Sequence, residues 1–138
     1  MTQQPDNLES CFDNLIYTYS RADAIADGML VDVSVMTREA GFRIPVAMTA
    51  AAWADCVTWS DSDSKRQTHQ DETGRLWDVL WMASRVARRA LGELVPFQFY
   101  RVPRGGRATR PRLTTLYLHI GPGDAGEPVL TILMPNED

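Results

Sequence analysis

Eight arginines fall between residues 85 and 112, at positions 85, 88, 89, 101, 104, 107, 110 and 112, against a single acid, Glu93. The guanidinium is a planar fork of donors that fits the paired oxygens of a phosphate or a carboxylate. The densest part is RVPRGGRATRPR, where Arg101, Arg104, Arg107, Arg110 and Arg112 share twelve residues with two glycines and two prolines. It reads as a flexible tip between two strands. Its chemistry is contact with an acidic protein surface or with RNA or DNA phosphates. The structural alternative is a solvated hairpin loop that keeps a sheet edge in water. No aromatic residue lies inside Val102–Pro111, which argues against ordinary single-strand stacking. The rest of the chain is acidic: residues 1–84 carry thirteen acids and six bases, and residues 113–138 carry four acids and no base. Asp61 and Asp63, in the polar stretch SDSDSKRQTHQDET, suggest a second surface of opposite sign.

Other chemistries find little support. His69 and His119 have no cysteine or carboxylate at ligand spacing, so no metal site is expected. There is no G-x-S-x-G elbow and no phosphate-binding loop, and GPGD reads as a turn between strands. Trp77 and Trp81, four residues apart on a helix, read as core, with one of them a candidate partner anchor. One enzyme-like pattern stands apart. Tyr17-x-Tyr19-Ser20-Arg21, followed by a short helix up to Gly28, resembles the opening strand and helix of ADP-ribosyltransferases. That resemblance implies NAD as cofactor, Arg21 as its contact, and Glu137 or Asp138 as the late acid that orients the ribose. The middle motif of that family is not evident, and the late acids follow Pro135 at the terminus.

The elements that would position these residues are legible from capping and periodicity. Ser20 and Asp23 predict a short helix that Gly28 ends, leading Leu30 and Val33 into the core. A second short helix is expected after Ser34 or Thr37, closed by Gly41. Ile44–Met48 reads as a short strand that Pro45 keeps near an edge. Thr49 caps a helix through AAAWADCVTW. Ser60–Thr73 is expected as an exposed loop. RLWDVLWMASRVARRALG is the strongest helix, with Leu76, Leu80, Ala83, Ala87 and Leu91 on one face, Arg75, Asp78, Arg85, Arg88 and Arg89 on the other, and Gly92 as cap. Phe97–Val102, Leu113–Ile120 and Val129–Met134 read as strands. The expected fold is a single α+β domain over residues 1–138. It has a C-terminal three-stranded antiparallel meander packed by the long helix, and short helices and strands in the N-terminal half. Residues 1–14 are expected to be loosely ordered, with Cys11, Phe12, Leu15 and Ile16 suggesting that the segment docks before Tyr17.

Bulk properties fit such a domain. The chain has 138 residues, 44% of them apolar and 23% charged, with a formal net charge of -4. Cys11 and Cys56 have no C-x-x-C or metal spacing and read as reduced thiols of a cytoplasmic protein. MTQQPDNLES has neither the basic nor the apolar region of a secretion signal, and no apolar run reaches a membrane span.

Three blocks, YSRADAIADGMLVDVS, REAGFRIPVAMTAAAWADCV and GPGDAGEPVLTILMPNED, together resemble a family of small uncharacterised bacterial proteins. Members are carried on phages, plasmids and integrated elements. What the resemblance implies is a setting in which small acidic proteins block host defence, some binding CRISPR effectors and some restriction enzymes. The expectation is a non-enzymatic, cofactor-free inhibitor of the anti-CRISPR or antirestriction type, with a host defence complex as partner. Arg101, Arg104, Arg107, Arg110 and Arg112 form its first surface, and Asp61 and Asp63 its second. The alternatives are the NAD-dependent ADP-ribosyltransferase-like enzyme and a small nucleic-acid-binding accessory protein.

Overall fold

The computed structural model describes residues 19–89 and 94–137. The expectations for residues 1–14, the docking of residues 11–17, the Gly92 cap and Asp138 lie outside the described residues. The elements run α1 (Arg21–Ala26), β1 (Leu30–Asp32), α2 (Ser34–Glu39), β2 (Val46–Thr49), α3 (Ala50–Cys56), α4 (Asp61–Arg66) and α5 (Glu72–Val86). A 3-10 turn (Ala87–Arg89) ends α5, and β3 (Leu94–Arg101), β4 (Arg112–Pro122) and β5 (Pro128–Leu133) follow.

Local chemistry sets the ends of the helices. Ser20 Oγ accepts the Asp23 N–H at 2.9 Å and the Asp23 carboxylate accepts the Ser20 N–H at 3.3 Å, a reciprocal cap that starts α1. Gly28 then turns the chain at φ 79°. Thr49 Oγ1 accepts the Ala52 N–H at 3.1 Å and starts α3. Ser34 lies inside α2 rather than capping it, because the Asp32 carboxylate accepts the Ser34 N–H instead.

The expected three-stranded antiparallel meander is corrected. The sheet has five strands in the order β1-β2-β5-β4-β3 and is mixed. β2 pairs in parallel with β5, with Val46 opposite Leu130 and Met48 opposite Ile132, while the other three pairings are antiparallel. β2 is therefore interior. Pro45, expected to hold this segment at an edge, sits just before the strand, and its carbonyl accepts the Leu130 N–H at 2.9 Å. The edges are β1, three residues long, and β3, which carries Pro96. Proline has no N–H for a ladder and is tolerated where one side of a strand is unpaired.

Ser60–Thr73, expected as an exposed loop, is also corrected: it contains α4 and the first residues of α5. DSDSKR has no apolar period. Its helix is set instead by the Ser60–Asp63 capping box, with acids in the first turn and Lys65 and Arg66 in the last.

One face of the sheet holds the core. Met48, Phe97, Phe99, Leu116, Leu118, Leu130 and Ile132 meet Ala52 and Cys56 of α3 and Leu76, Val79, Leu80 and Ala83 of α5. Leu118 is fully buried at its centre, opposite Ile132 in the register. Leu118→Ala should cost about 2–5 kcal/mol in urea denaturation. Leu113→Ala, on the same strand but 53% exposed, should stay within about 0.5 kcal/mol.

Candidate functional site

The arginine-rich segment between β3 and β4 is anchored. Its main hold is Asp63, the N3 residue of α4, which is 1% exposed. Four donors meet its carboxylate. Oδ2 accepts from the Ser60 N–H at 2.8 Å, the Ser60 hydroxyl at 2.9 Å and Arg104 Nε at 2.7 Å. Oδ1 accepts from Arg66 Nη2 at 2.5 Å. The Ser60 N–H, then Arg104, the Ser60 hydroxyl and Arg66, hold this carboxyl far below the usual carboxylate range, against the opposing effect of burial.

Gln67, the C-cap of α4, adds a neutral clamp. Its amide nitrogen donates to the carbonyls of Pro103 at 2.8 Å and Ala108 at 2.6 Å. Its carbonyl oxygen accepts the Gly105 N–H at 2.8 Å. Gly105 and Gly106 turn the chain at φ 89° and 68°, a pair of left-handed positions that other residues rarely adopt. The expected flexible tip is thus tied at four residues, Pro103, Arg104, Gly105 and Ala108, to a helix some forty residues earlier.

A second polar cluster lies at the base of the loop. Arg101 Nε and Nη2 donate to one Asp55 oxygen at 3.2 and 2.8 Å, and Cys56 Sγ donates to the same oxygen at 3.3 Å. Burial, with the Asp55 charge adding to it, pushes the Cys56 thiol up to about 12, so it stays neutral and unreactive. Next to it is Arg75, placed by its periodicity on the solvent face of the long helix but in fact 4% exposed. The correction has a physical cause. The guanidinium lies 4.5 Å from the Trp59 ring centroid and reaches under the chain to the carbonyls of Val57 at 3.2 Å and Val102 at 2.9 Å. Periodicity along one helix cannot register those partners.

The sequence-predicted residues therefore divide. Arg107, Arg110 and Arg112 are exposed and make no ion pair among the described residues. Asp61 is exposed in the first turn of α4. Arg101, Arg104 and Asp63 are engaged in ion pairs, so Asp63 belongs to the loop's anchor rather than to an exposed acidic surface. Tyr100, 64% exposed, stands opposite the exposed Leu113 at the root of the hairpin. Sequence reading missed Gln67 and Arg75. Their only local signal was a polar residue beside a helix end.

Arg21 and Glu137 have partners of their own. Arg21 opens α1 rather than lying on a strand, and its guanidinium donates to Thr131 Oγ1 and the Leu130 carbonyl, both at 2.7 Å. Asp124, in the GPGD turn, accepts the Arg21 and Ala22 N–H groups at 2.7 and 3.0 Å, which lowers its pKa. Glu137 accepts from Thr49 Oγ1 at 2.6 Å and from the Met134 N–H at 2.8 Å. No group of three or more metal-ligating side chains occurs among the described residues. No helix among them is long and apolar enough to cross a membrane. Trp77 and Trp81, expected in the core with one of them as an anchor, are both exposed on α5, at 37% and 51%.

A family model spans residues 8–138, nearly the whole chain. The chain belongs to a family of unknown function, DUF6573. No curated protein and no solved structure matches it.

Two measurements test the anchor. Gln67→Ala, which removes all three clamp bonds, should speed hydrogen exchange of the Gly105 amide by at least about fivefold, the effect of one hydrogen bond worth about 1 kcal/mol. For Asp63, a native pKa below the ordinary 3.8 means that its contribution to stability is full above that value and is lost as the pH falls below it. Asp63→Asn should lower the melting temperature at pH 7 and flatten the decline of stability between about pH 4 and 2.

Proposed function

We propose that the protein is a non-enzymatic interaction module that presents Arg107, Arg110 and Arg112, on a braced loop, to an anionic surface of a macromolecular partner. The observation that carries this reading is the division of the basic segment. Two of its arginines and a clamp from α4 fix the loop, which leaves three guanidiniums exposed with no acid paired to them among the described residues. A loop ordered before binding loses less entropy on association, and its unpaired charge steers encounter. The resemblance of the three sequence blocks to proteins of mobile elements suggests the partner: a host defence complex, CRISPR effector or restriction enzyme, bound by protein contact inside the bacterial cell.

A second reading rests on the same face. Tyr100 stands exposed beside the arginine loop, and a base stacked on it with phosphates on the arginines would make the protein a nucleic-acid accessory factor. The ADP-ribosyltransferase-like reading has less support, since Arg21 and Glu137 are each committed to hydrogen bonds that brace the fold.

The deciding experiment is a pull-down of the tagged chain from a host expressing its defence systems, with and without nuclease. Stoichiometric recovery of a defence subunit that survives nuclease is the expected result. Recovery lost on nuclease treatment favours the accessory-factor reading. Arg107→Glu, Arg110→Glu and Arg112→Glu together should abolish recovery and leave stability within about 0.5 kcal/mol. Undiminished recovery by this triple variant would overturn the role of the loop.

A further inference from the structure

Trp77 and Trp81 lie one turn apart on the side of α5 that faces away from the sheet, and both are exposed. Asp78 and Arg85 share that side and are exposed too, as is Arg88 in the 3-10 turn beyond. Leu76, Val79, Leu80 and Ala83 occupy the opposite side, in the core. None of the three charged residues makes an ion pair among the described residues. Two neighbouring tryptophans are more apolar surface than a solvated helix needs, and tryptophan and arginine carry much of the binding energy at protein interfaces.

The order along the helix selects the partner. It runs from an acid, through two tryptophans, to two bases. Asp78 and Arg85 are two turns apart, so they lie along one line of the helix, but the gap of about 10 Å is too long for them to pair within one chain. An antiparallel copy of the same helix presents the reverse order. A uniformly acidic partner would meet the arginines and oppose Asp78, and so would a nucleic acid.

We propose that two copies of this chain pair antiparallel through the outward face of α5. With a two-fold axis between residues 81 and 82, Asp78 of each copy comes level with Arg85 of the other. Trp81 meets its own counterpart at the axis. Trp77 falls beside Arg85 and Arg88 of the second copy, where a guanidinium can lie over its ring. A symmetric dimer requires a patch that complements itself, and this face does so in charge and in apolar content. Its size sets the strength. The 15 residues of α5 make a strip about 22 Å long and about 10 Å wide, short of the roughly 800 Å² per partner that stable complexes bury. Pairing is therefore weak and concentration-dependent. The proposal is independent of what the arginine loop binds.

Sedimentation equilibrium of the full chain, from micromolar to millimolar concentration, tests it, with melting temperatures followed in parallel. The mean mass should climb from monomer toward dimer. Trp81→Ala should weaken association at least about tenfold, as loss of an anchor residue does. Arg85→Glu sets two carboxylates against each other at both ends, and Asp78→Lys sets two cations together. Each should weaken association about tenfold. Mixed in equal amounts, these two variants should associate as well as the unaltered chain, because each supplies the charge that the other lacks. Poor folding of a variant would not be cured by mixing, and Arg85→Glu, at a solvated position, carries the test alone if Asp78→Lys melts low. Three results would overturn the proposal: a monomer at millimolar concentration, a dimer that neither Trp81→Ala nor Arg85→Glu weakens, or folded charge variants that associate no better mixed than apart.

Discussion

A carboxylate that leaves water has to be met by donors, and Asp63 shows how much structure one such requirement can fix. Its two oxygens collect a backbone N–H, a hydroxyl and two guanidiniums from three separate places in the chain. The Ser60 contacts create the N-terminus of a helix that has no apolar face. The Arg104 contact ties that helix to a loop 41 residues further on. A surface aspartate paired with one arginine contributes little because water competes for both. Buried and shared, the same carboxylate joins two segments that otherwise lack a hydrophobic reason to meet.

The parallel pairing of β2 with β5 sets the larger frame. β1 and β2 enter the sheet early, and β3 enters at the opposite edge, so the chain between β2 and β3 must cross the sheet. It does so as α3, α4 and α5. α3 and α5 bury their apolar stripes on the Met48–Leu118–Phe97 face. The crossing leaves the polar α4 where Gln67 and Asp63 reach the β3–β4 connection. The same path brings the N-terminal end of α5 against the loop's base, so Arg75 bonds the carbonyl of Val102.

Much of this was legible in the sequence where the cause is local. Ser20 with Asp23, Thr49, Gly28 and Gly41 mark helix ends because capping and positive φ act within four residues. The long helix and the strands around Phe97, Leu116 and Leu130 follow from their periods. What sequence pattern did not show has distant causes. The parallel partner of β2 lies some eighty residues away, and Pro45 argued for an edge that the fold does not place there. Arg75 looked like one more charge on a wet face because nothing near it in sequence announces Trp59 as its platform. The basic patch itself was visible in the residue counts. Its separation into anchoring and exposed arginines was not, since that depends on which carboxylates fold back to meet them.

The two borders of the sheet carry a consequence of their own. A long unpaired strand is a template on which other chains can add, and runaway addition ends in fibrils. Here one border is a strand of three residues and the other is interrupted by Pro96. The first offers few groups for a partner to pair with, and proline removes one donor from the second. Both features disfavour edge-to-edge stacking on neighbouring molecules.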